Sequence, residues 1–217
     1  MVVFPKKRIF GLIGTPRSGK DTVANYLQET RNFVAMAFAD KIKEEFGISN
    51  ADFEAAKIAG NIEDLRKKLW DFSAIKKTND PLYFIRKVMK TAIILDKSAV
   101  ITDIRTMDEL ESFFSYDIGI YSRRIYFIQK AGLNRNEDEN GCLLGSRLPM
   151  DTILSLIKQD KIRTIYNYDD GLFKFLCELD NFFFKEDIMD LPTAGKNDLE
   201  WRSLVSDYVT QFDIRAI

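Results

Sequence analysis

A glycine-rich segment near the start of the chain carries the residue types and spacing best suited to chemistry. Gly14-Thr-Pro-Arg-Ser-Gly19-Lys20 fits the spacing G-x-x-x-x-G-K and stands between an apolar run and a helical pattern. Glycines at these positions let backbone N–H groups turn inward around phosphate oxygens, a helix N-terminus adds positive potential, and the lysine reaches the outer phosphates. The pattern predicts a phosphate-binding loop. A glycine turn with an incidental lysine is the alternative.

The residue after the lysine departs from the common form of this loop. A serine or threonine usually stands there and holds Mg²⁺ through its hydroxyl, but this chain has Asp21, followed by Thr22. Asp21 could bind magnesium directly or through water, Thr22 could replace it, or Asp21 could stabilise the helix through its dipole. The sequence leaves these alternatives open, so both residues are candidate metal ligands.

A second set of polar residues follows an apolar run later in the chain. Asp103 and Arg105 come directly after Ser98–Thr102, which has the composition of a buried strand. Ligands of open parallel sheets bind at the carboxyl ends of the strands, so Asp103 could bind magnesium through water or position an acceptor. Capping of the next helix is the simpler interpretation of Asp103. Arg105 is a candidate for gripping a phosphate, because a guanidinium does so in bidentate fashion.

The composition excludes several classes of function. The chain of 217 residues has no histidine, so a histidine triad and a histidine-ligated zinc are excluded. A formal net charge of -1 provides no global cationic field for a polyanion such as duplex DNA. The cysteines, Cys142 and Cys177, lack a metal-binding spacing and are too few for a disulfide framework, which favours a reduced cytosolic protein. No stretch is long or apolar enough to span a bilayer.

The elements that must position these residues alternate between strands and helices. Five apolar runs predict strands: Arg8–Ile13, Phe33–Phe38, Ser98–Thr102, Arg124–Gln129 and Arg163–Asn167. Helical patterns lie between or after them: from Asp40 as an acidic N-cap to Gly47, over much of 51–95 with a turn at 76–81, Met107–Phe114, Leu172–Phe184 and Leu199–Phe212. This alternation predicts an α/β fold with a doubly wound parallel sheet.

We expect one domain over residues 1–217, with three additions to the sheet and its helices. Residues of about 41–96 form a helical insert, and residues of about 185–217 form a C-terminal helical appendage. Residues of about 131–161 are a lid candidate, because Ala131–Gly145 is rich in Gly, Asn, Asp and Glu and has little periodicity.

Some residues outside the loop are able to contact a ligand. Phe38 and Trp70 could stack on a base, although most such aromatic residues belong to a core. One of the arginines that flank or lie in the lid candidate could swing onto a transferring phosphate, as an arginine finger does. These arginines are Arg123, Arg124, Arg135 and Arg147.

The variant of the phosphate loop resembles that of a known family. Thr15-Pro-Arg-Ser-Gly-Lys-Asp-Thr22 resembles the R-S-G-K-D-T loop of bacteriophage deoxynucleoside monophosphate kinases, in which an aspartate also follows the lysine. Ile101-Thr-Asp-Ile-Arg105, with Glu109 beyond it, resembles the D-x-R segment of that family and its following glutamate. Weaker similarities place basic residues of the family at Lys43, Arg66 and Arg86.

The resemblance implies a P-loop kinase that passes the terminal phosphoryl group of ATP to a deoxynucleoside monophosphate (dNMP), with Mg²⁺ as cofactor. It implies nucleotides as partners rather than nucleic acid or membranes, and a cytoplasmic location, which is the host cytoplasm for a viral protein. Whether the chain forms a homodimer stays open. Catalytic roles fall to Lys20, Arg17 and Asp103. Expected ATP-binding residues are Gly14, Thr15, Pro16, Arg17, Ser18, Gly19, Lys20, Asp21 and Thr22; expected acceptor-binding residues are Lys43, Arg66, Arg86, Asp103, Arg105 and Glu109.

Two other functions stay open at this point. A kinase for another small phosphorylated metabolite, such as phosphomevalonate, has a similar loop, and substrate profiling would separate it from a dNMP kinase. A P-loop switch or assembly ATPase belongs to a different class and uses hydrolysis to change partners. Such proteins usually need a residue that positions the attacking water and a dedicated partner surface, and the sequence shows neither. Rapid phosphate release without an acceptor would favour the switch.

Overall fold

The computed structural model describes residues 7–115, 121–131, 137–168 and 170–189. The chain forms two compact units: a main unit of Lys6–Phe175, and a C-terminal unit of Met1–Pro5 together with Leu176–Ile217. The predicted helix at Leu199–Phe212 lies outside the described residues. The single domain over residues 1–217 stays a prediction.

Five parallel strands form the sheet of the described main unit, in the order β2-β3-β1-β4-β5. Each of the five predicted strands is present, although β2 is shorter than predicted. Their bounds are β1 Arg8–Gly14, β2 Val34–Met36, β3 Ala99–Ile101, β4 Ser122–Lys130 and β5 Ile162–Asn167. The central strand β1 pairs with β3 on one side and with β4 on the other. The predicted α/β class with a parallel sheet is confirmed.

Helices connect these strands and extend beyond the last one. Their bounds are α1 Lys20–Arg31, α2 Phe38–Phe46, α3 Asn50–Ile58, α4 Ile62–Asn79, α5 Tyr83–Leu95, α6 Met107–Ser115, α7 Met150–Lys158 and α8 Leu172–Met189. We call α2–α5 the helical insert. The sequence analysis missed α7, which lies inside the segment interpreted as a lid candidate. Among the described residues, no helix has the length and apolar character needed to cross a membrane.

The direction of the chain crossovers reverses at β1. From β1 the chain passes through α1 to the edge strand β2, and from β3 it passes through α6 to β4 on the other side of β1. Because such crossovers are right-handed, the reversal puts α1 on one face of the sheet and the later helices on the other. The ring of Phe10 contacts Phe33 and Tyr126, whereas Ile9 and Ile13 belong to the core that includes α5 and α6. The sheet is therefore doubly wound.

The reversal point also marks where a ligand should bind. In an open α/β sheet, ligands lie at the carboxyl ends of the two strands whose connections run in opposite directions. Here those strands are β1 and β3. The glycine loop follows β1, and the Asp103–Arg105 segment follows β3, so the fold brings the two motifs to one edge.

Candidate functional site

The phosphate loop, residues 14–20, connects β1 to α1 through two positions that only glycine fits. A Cβ atom added to Gly14 would lie 2.6 Å from the carbonyl oxygen of Ile128. Gly19 has a φ of +106°, and a Cβ atom there would lie 2.9 Å from the amide nitrogen of Asn167. Arg17 also lies in the left-handed region, with a φ of 61°. The spacing recognised in the sequence therefore has a steric cause.

Lys20 is the first residue of α1, and its ammonium group points back into the loop. The ammonium donates hydrogen bonds to the carbonyl oxygens of Gly14 at 3.0 Å and Thr15 at 2.7 Å. These two carbonyl groups hold the lysine over the loop, on the side where the outer phosphates of a nucleotide would lie. The contact of Lys20 with phosphate oxygens stays a prediction.

Three other charged residues lie close enough to Lys20 to shift its pKa. Burial is the largest cause that lowers the pKa of Lys20, and the guanidinium of Arg105 is the second. The carboxylates of Asp21 and Asp103 act in the opposite direction and raise this pKa. The edge of the sheet formed by β1 and β3 thus brings together the residues that the sequence had predicted separately.

Two hydroxyl groups of the phosphate loop are buried and lack hydrogen bonds. Thr15 is 2% exposed and Ser18 is 0% exposed, and neither side-chain oxygen has a hydrogen-bond partner in the described part of the chain. A buried polar group without a partner costs about 1–3 kcal/mol. Phosphate oxygens would accept hydrogen bonds from both hydroxyls. Both the polar atoms and the shape of the loop are therefore suited to a phosphate ligand.

Asn167, which the sequence analysis placed only at the end of the last predicted strand, supports the phosphate loop. At the end of β5, its amide nitrogen donates to the carbonyl oxygen of Ser18 at 3.0 Å. The ring of Phe175 lies 3.1 Å from the position that a Cβ atom on Gly19 would take. Both contacts fix the C-terminal end of the loop. The signal in the sequence was an amide side chain at the end of the last strand.

Asp103 caps a helix that precedes it in the sequence. Its two carboxylate oxygens accept hydrogen bonds from the backbone N–H groups of Phe38, at 2.8 Å, and Ala39, at 3.1 Å. These are the first residues of α2, whose N–H groups lack partners inside the helix. The prediction that Asp40 is the N-cap of this helix is wrong, because Asp40 lies in the first turn and Asp103 supplies the oxygens. Burial raises the pKa of Asp103, although the two backbone hydrogen bonds oppose the shift.

Glu109 holds the segment on which Arg105 stands. One carboxylate oxygen of Glu109 accepts from the backbone N–H groups of Arg105, at 2.8 Å, and Thr106, at 3.1 Å. The hydroxyl of Thr106 accepts from the N–H group of Glu109 at 3.3 Å, which completes a capping box at the start of α6. Lys77 of α4 lies 3.6 Å from the other carboxylate oxygen. The contact with an acceptor that the resemblance implies for Glu109 stays a prediction.

The three cations predicted on the helical insert each have an acidic partner close in sequence. Lys43 also donates to the side chain of Asn50 at 2.5 Å. Arg66 is more than half exposed, so its pair is a surface contact. The acidic partners are Asp40 for Lys43, Glu63 for Arg66 and Asp80 for Arg86. The structure does not bring these residues to the phosphate loop through any contact described, and their acceptor roles stay predictions.

Arg17 and Arg105 differ from those cations. Both side chains are exposed, and in the described part of the chain neither guanidinium makes a hydrogen bond or an ion pair. Arg105 acts electrostatically on Lys20. Two guanidinium groups therefore lie in or beside the loop without an anionic partner among the described residues.

Two of the four arginines proposed for the lid lie at the wrong end of the sheet. Arg123 and Arg124 pair in register with Ile9 and Phe10 near the start of β1, whereas the phosphate loop follows its end. Arg123 also donates to the carbonyl oxygen of Phe113 at 3.1 Å. Arg135 lies outside the described residues.

The fourth arginine, Arg147, lies next to the predicted site. Its backbone N–H group donates to the carbonyl oxygen of Arg105 at 2.8 Å. Its guanidinium carbon lies 4.5 Å from the centre of the Trp70 ring, on α4. Nearby, a Cβ atom on Gly145 would lie 2.7 Å from the ring of Pro16 in the phosphate loop. Residues 145–147 therefore contact both predicted motifs.

The residues at the start of α1 are suited to magnesium, although they do not form a complete cage. Asp21 is exposed in the first turn of α1, directly after Lys20, and Thr22 follows it. Across the described residues, no three acidic, cysteine or histidine side chains converge as a metal site. Proteins usually bind Mg²⁺ through one or two side-chain oxygens together with substrate phosphates, and Asp21 and Thr22 could supply such side-chain oxygens.

A family model matches the part of the chain that contains both motifs. The model is that of phosphomevalonate kinase. It matches residues 12–118, just under half of the chain. That range includes the phosphate loop, the helical insert and the Asp103–Glu109 segment. No curated protein sequence matches the chain.

Solved structures with a similar arrangement are distant. A provisionally assigned kinase from Chloroflexus aurantiacus J-10-fl is 11% identical, with 84% of this chain and 99% of that chain covered and a TM-score of 0.43. A gluconokinase from Sinorhizobium meliloti 1021 is 13% identical, with 85% and 99% covered and a TM-score of 0.38. Values this low carry no argument about the substrate of this chain.

Proposed function

We propose that the chain is a P-loop kinase that transfers the terminal phosphoryl group of ATP to a small acceptor already bearing a phosphate. The observation that carries the proposal is the position of Arg105, whose guanidinium has no partner in the described part of the chain and lies close enough to lower the pKa of Lys20. Two adjacent anion sites are what a reaction between two phosphate-bearing molecules requires.

The residues present can supply the main needs of phosphoryl transfer. That reaction needs two substrates held in line and positive charge on the moving group, with little covalent help from the protein. The loop N–H groups and the hydroxyls of Thr15 and Ser18 would bind the donor phosphates. Lys20 would exchange its two carbonyl partners for phosphate oxygens, and Arg105 would hold the acceptor phosphate. Asp21 or Thr22, with the donor phosphates, would hold Mg²⁺, which neutralises negative charge on them.

We propose a deoxynucleoside monophosphate as the acceptor. The support is the likeness of Thr15–Thr22 to the R-S-G-K-D-T loop, including Asp21 after the lysine, together with the Asp103–Arg105 segment. Cys142 and Cys177 are free thiols, which fits a cytoplasmic enzyme.

Phosphomevalonate is the second candidate acceptor. The family model over residues 12–118 favours it. Phosphomevalonate and a dNMP both carry a phosphomonoester, so either would use Arg105 in the same way. The two acceptors differ in the rest of the molecule. That part is small and anionic in phosphomevalonate, whereas in a dNMP it contains a sugar and a planar base.

The test is an ADP-release assay with ATP and Mg²⁺, in which each dNMP and phosphomevalonate are supplied in turn. We expect ADP release that depends on a dNMP and saturates with it. Turnover with phosphomevalonate alone would replace the proposed acceptor and keep the kinase. Steady phosphate release that no acceptor accelerates would contradict the kinase and favour a nucleotide-dependent switch. Lys20→Ala is the blank for contaminating kinases in each arm.

A further inference from the structure

The side chain of Arg147 is held by an aromatic ring instead of an anion. Its guanidinium lies over the indole of Trp70 at 4.5 Å from the ring centre, and it has no hydrogen bond or ion pair within the described residues. Trp70 is 54% exposed, so the stack is open to solvent. An exposed cation–π contact is weaker than the charge-assisted hydrogen bonds that a guanidinium forms with phosphate. Arg147 would therefore leave the ring for a phosphate within its reach.

The backbone of Arg147 is already fixed beside the proposed anion sites. Its N–H group is bonded to the carbonyl oxygen of Arg105, and Gly145 lies against Pro16 of the phosphate loop. Because the backbones of Arg147 and Arg105 are adjacent, we expect rotation of side-chain torsions to be enough to carry the guanidinium from the ring to a phosphate near Arg105. Lys77, two turns along α4 from Trp70, approaches Glu109, so α4 is held near the same segment at two places.

We propose that Arg147 has two positions: stacked on Trp70 while the acceptor site is free, and bound with Arg105 to the phosphate of the acceptor when it is filled. The inference rests on the proposed function, since it requires a phosphomonoester acceptor. Arg147 is then an acceptor-binding residue, and Trp70 is a positioning residue that holds the guanidinium away from the site. The stack competes with substrate, because a guanidinium on the ring is unavailable to the phosphate.

The two variants should shift acceptor affinity in opposite directions. Arg147→Ala removes a phosphate ligand, so we expect the acceptor KM to rise about tenfold or more, with Arg147→Lys nearly as impaired because it lacks the planar fork. Trp70→Leu removes the competing position, so we expect the acceptor KM to fall by about two- to fivefold at unchanged kcat. A merely structural stack would make both variants worse in the same sense.

The fluorescence of Trp70 reports the movement directly. The chain has two tryptophans, and Trp201→Phe leaves Trp70 as the only one. We expect the emission of this variant to change on titration with a turned-over dNMP, with a midpoint near its KM. The corresponding nucleoside, which lacks the phosphate, should leave the emission unchanged. Adding Arg147→Ala should abolish the response to the dNMP.

A control variant and a separate readout keep the outcomes distinct. Arg163→Ala removes a guanidinium that pairs with Asp160 at the start of β5 and should leave the acceptor KM unchanged; thermal unfolding shows whether each variant is folded. Two results would contradict the two positions of Arg147 while the proposed kinase function stands. In both, the wild type phosphorylates an acceptor. In the first, Trp70→Leu raises the KM for that acceptor; in the second, the emission of Trp70 does not change when the acceptor is added. If no acceptor is phosphorylated, the kinase fails. Titration of the Trp201→Phe variant with inorganic phosphate then tests the arginine: an emission change that needs Arg147 supports the movement, and no change overturns it.

Discussion

The helical insert and the carboxyl edge of the sheet carry similar cations in different surroundings. In the insert, Lys43, Arg66 and Arg86 each have a carboxylate partner close in sequence. At the sheet edge, Arg17 and Arg105 have no ion pair in the described part of the chain. All five are basic residues that the sequence put forward for binding. Arg17 and Arg105 are therefore better placed to bind an anion than the three cations of the insert.

The energetic consequences of the two arrangements also differ. An exposed ion pair contributes about 0–1 kcal/mol, and loss of either member is tolerated. Lys20 and Arg105 repel each other, because the positive charge of Arg105 lowers the pKa of Lys20. An anion bound between them would relieve this repulsion. Substitutions at the sheet edge should therefore affect catalysis strongly, and those in the insert should affect it little.

The largest effect is expected for Lys20→Ala. Loss of the ammonium removes a main source of positive charge on the transferring phosphoryl group, so kcat should fall about a hundredfold or more. Lys68→Ala, which removes an exposed lysine paired with Asp64 in α4, is the matched control and should keep kcat. Full turnover by Lys20→Ala, with an unchanged thermal midpoint, would contradict the kinase.

The next effect is expected at Arg105. Arg105→Ala and Arg105→Lys should both raise the acceptor KM by about tenfold or more, because lysine keeps the charge but loses the planar fork that grips phosphate. The KM for ATP should stay near normal. Steady-state kinetics with each substrate varied in turn measures both constants. Equal weakening toward the two substrates would identify Arg105 as a structural residue instead.

The pH dependence of nucleotide binding should shift in opposite directions in two variants. Only the protonated form of Lys20 attracts phosphate, so affinity for ADP should fall as pH rises through its pKa, which lies below the ordinary value of 10.5. Arg105 lowers this pKa and Asp103 raises it. Arg105→Ala should therefore move the loss of affinity to higher pH, and Asp103→Asn should move it to lower pH.

The measurement is the ADP dissociation constant of each variant over the alkaline range. Arg66→Ala serves as a charge-matched control, because Arg66 is not among the charged residues that shift the pKa of Lys20. Shifts of the same sign for Arg105→Ala and Asp103→Asn would contradict the opposite effects of these two residues on the pKa of Lys20.

A smaller effect is expected for the capping box of α6. Thr106→Ala removes the hydroxyl that accepts from the N–H group of Glu109, so the free energy of unfolding should fall by about 1 kcal/mol. Denaturant unfolding measures it. The acceptor KM should rise slightly, because the same box holds the backbone of Arg105. A large rise in the KM without loss of stability would mean that Thr106 contacts the substrate itself.

The smallest effect is expected in the helical insert. Arg66→Ala and Arg86→Ala each break an exposed pair, so stability should change by no more than about 1 kcal/mol and the acceptor KM should stay within about twofold of the wild type. Kinetics and thermal unfolding check both. A tenfold rise in the acceptor KM for either variant would show that the insert delivers this arginine to the acceptor, as the resemblance to the phage family implies.

The regular elements were largely accessible from sequence, with one instructive exception. Apolar runs predicted all five strands because buried parallel strands are nearly continuous in hydrophobicity. The helix α7 was missed because it follows a polar loop and was included with it in the lid candidate. Its stability depends on burying Met150 and Ile153, which is a tertiary effect. The turn predicted at 76–81 is shorter than expected, because α4 continues to Asn79 and α5 begins at Tyr83.

The sequence by itself determined the phosphate loop, because the spacing of its glycines and lysine is a local pattern. The tertiary structure adds the steric reason for two of the glycines, since Ile128 and Asn167 leave no room for a side chain at Gly14 and Gly19. Only the tertiary structure decided which cations lack a partner and where Asp103 directs its carboxylate. Asp103 and Phe38 are 65 positions apart in the chain, and strand order alone brings them together. The stack of Arg147 on Trp70 has the same origin, since a contact between distant segments depends on the packing of the whole unit and leaves no periodic signal in the sequence.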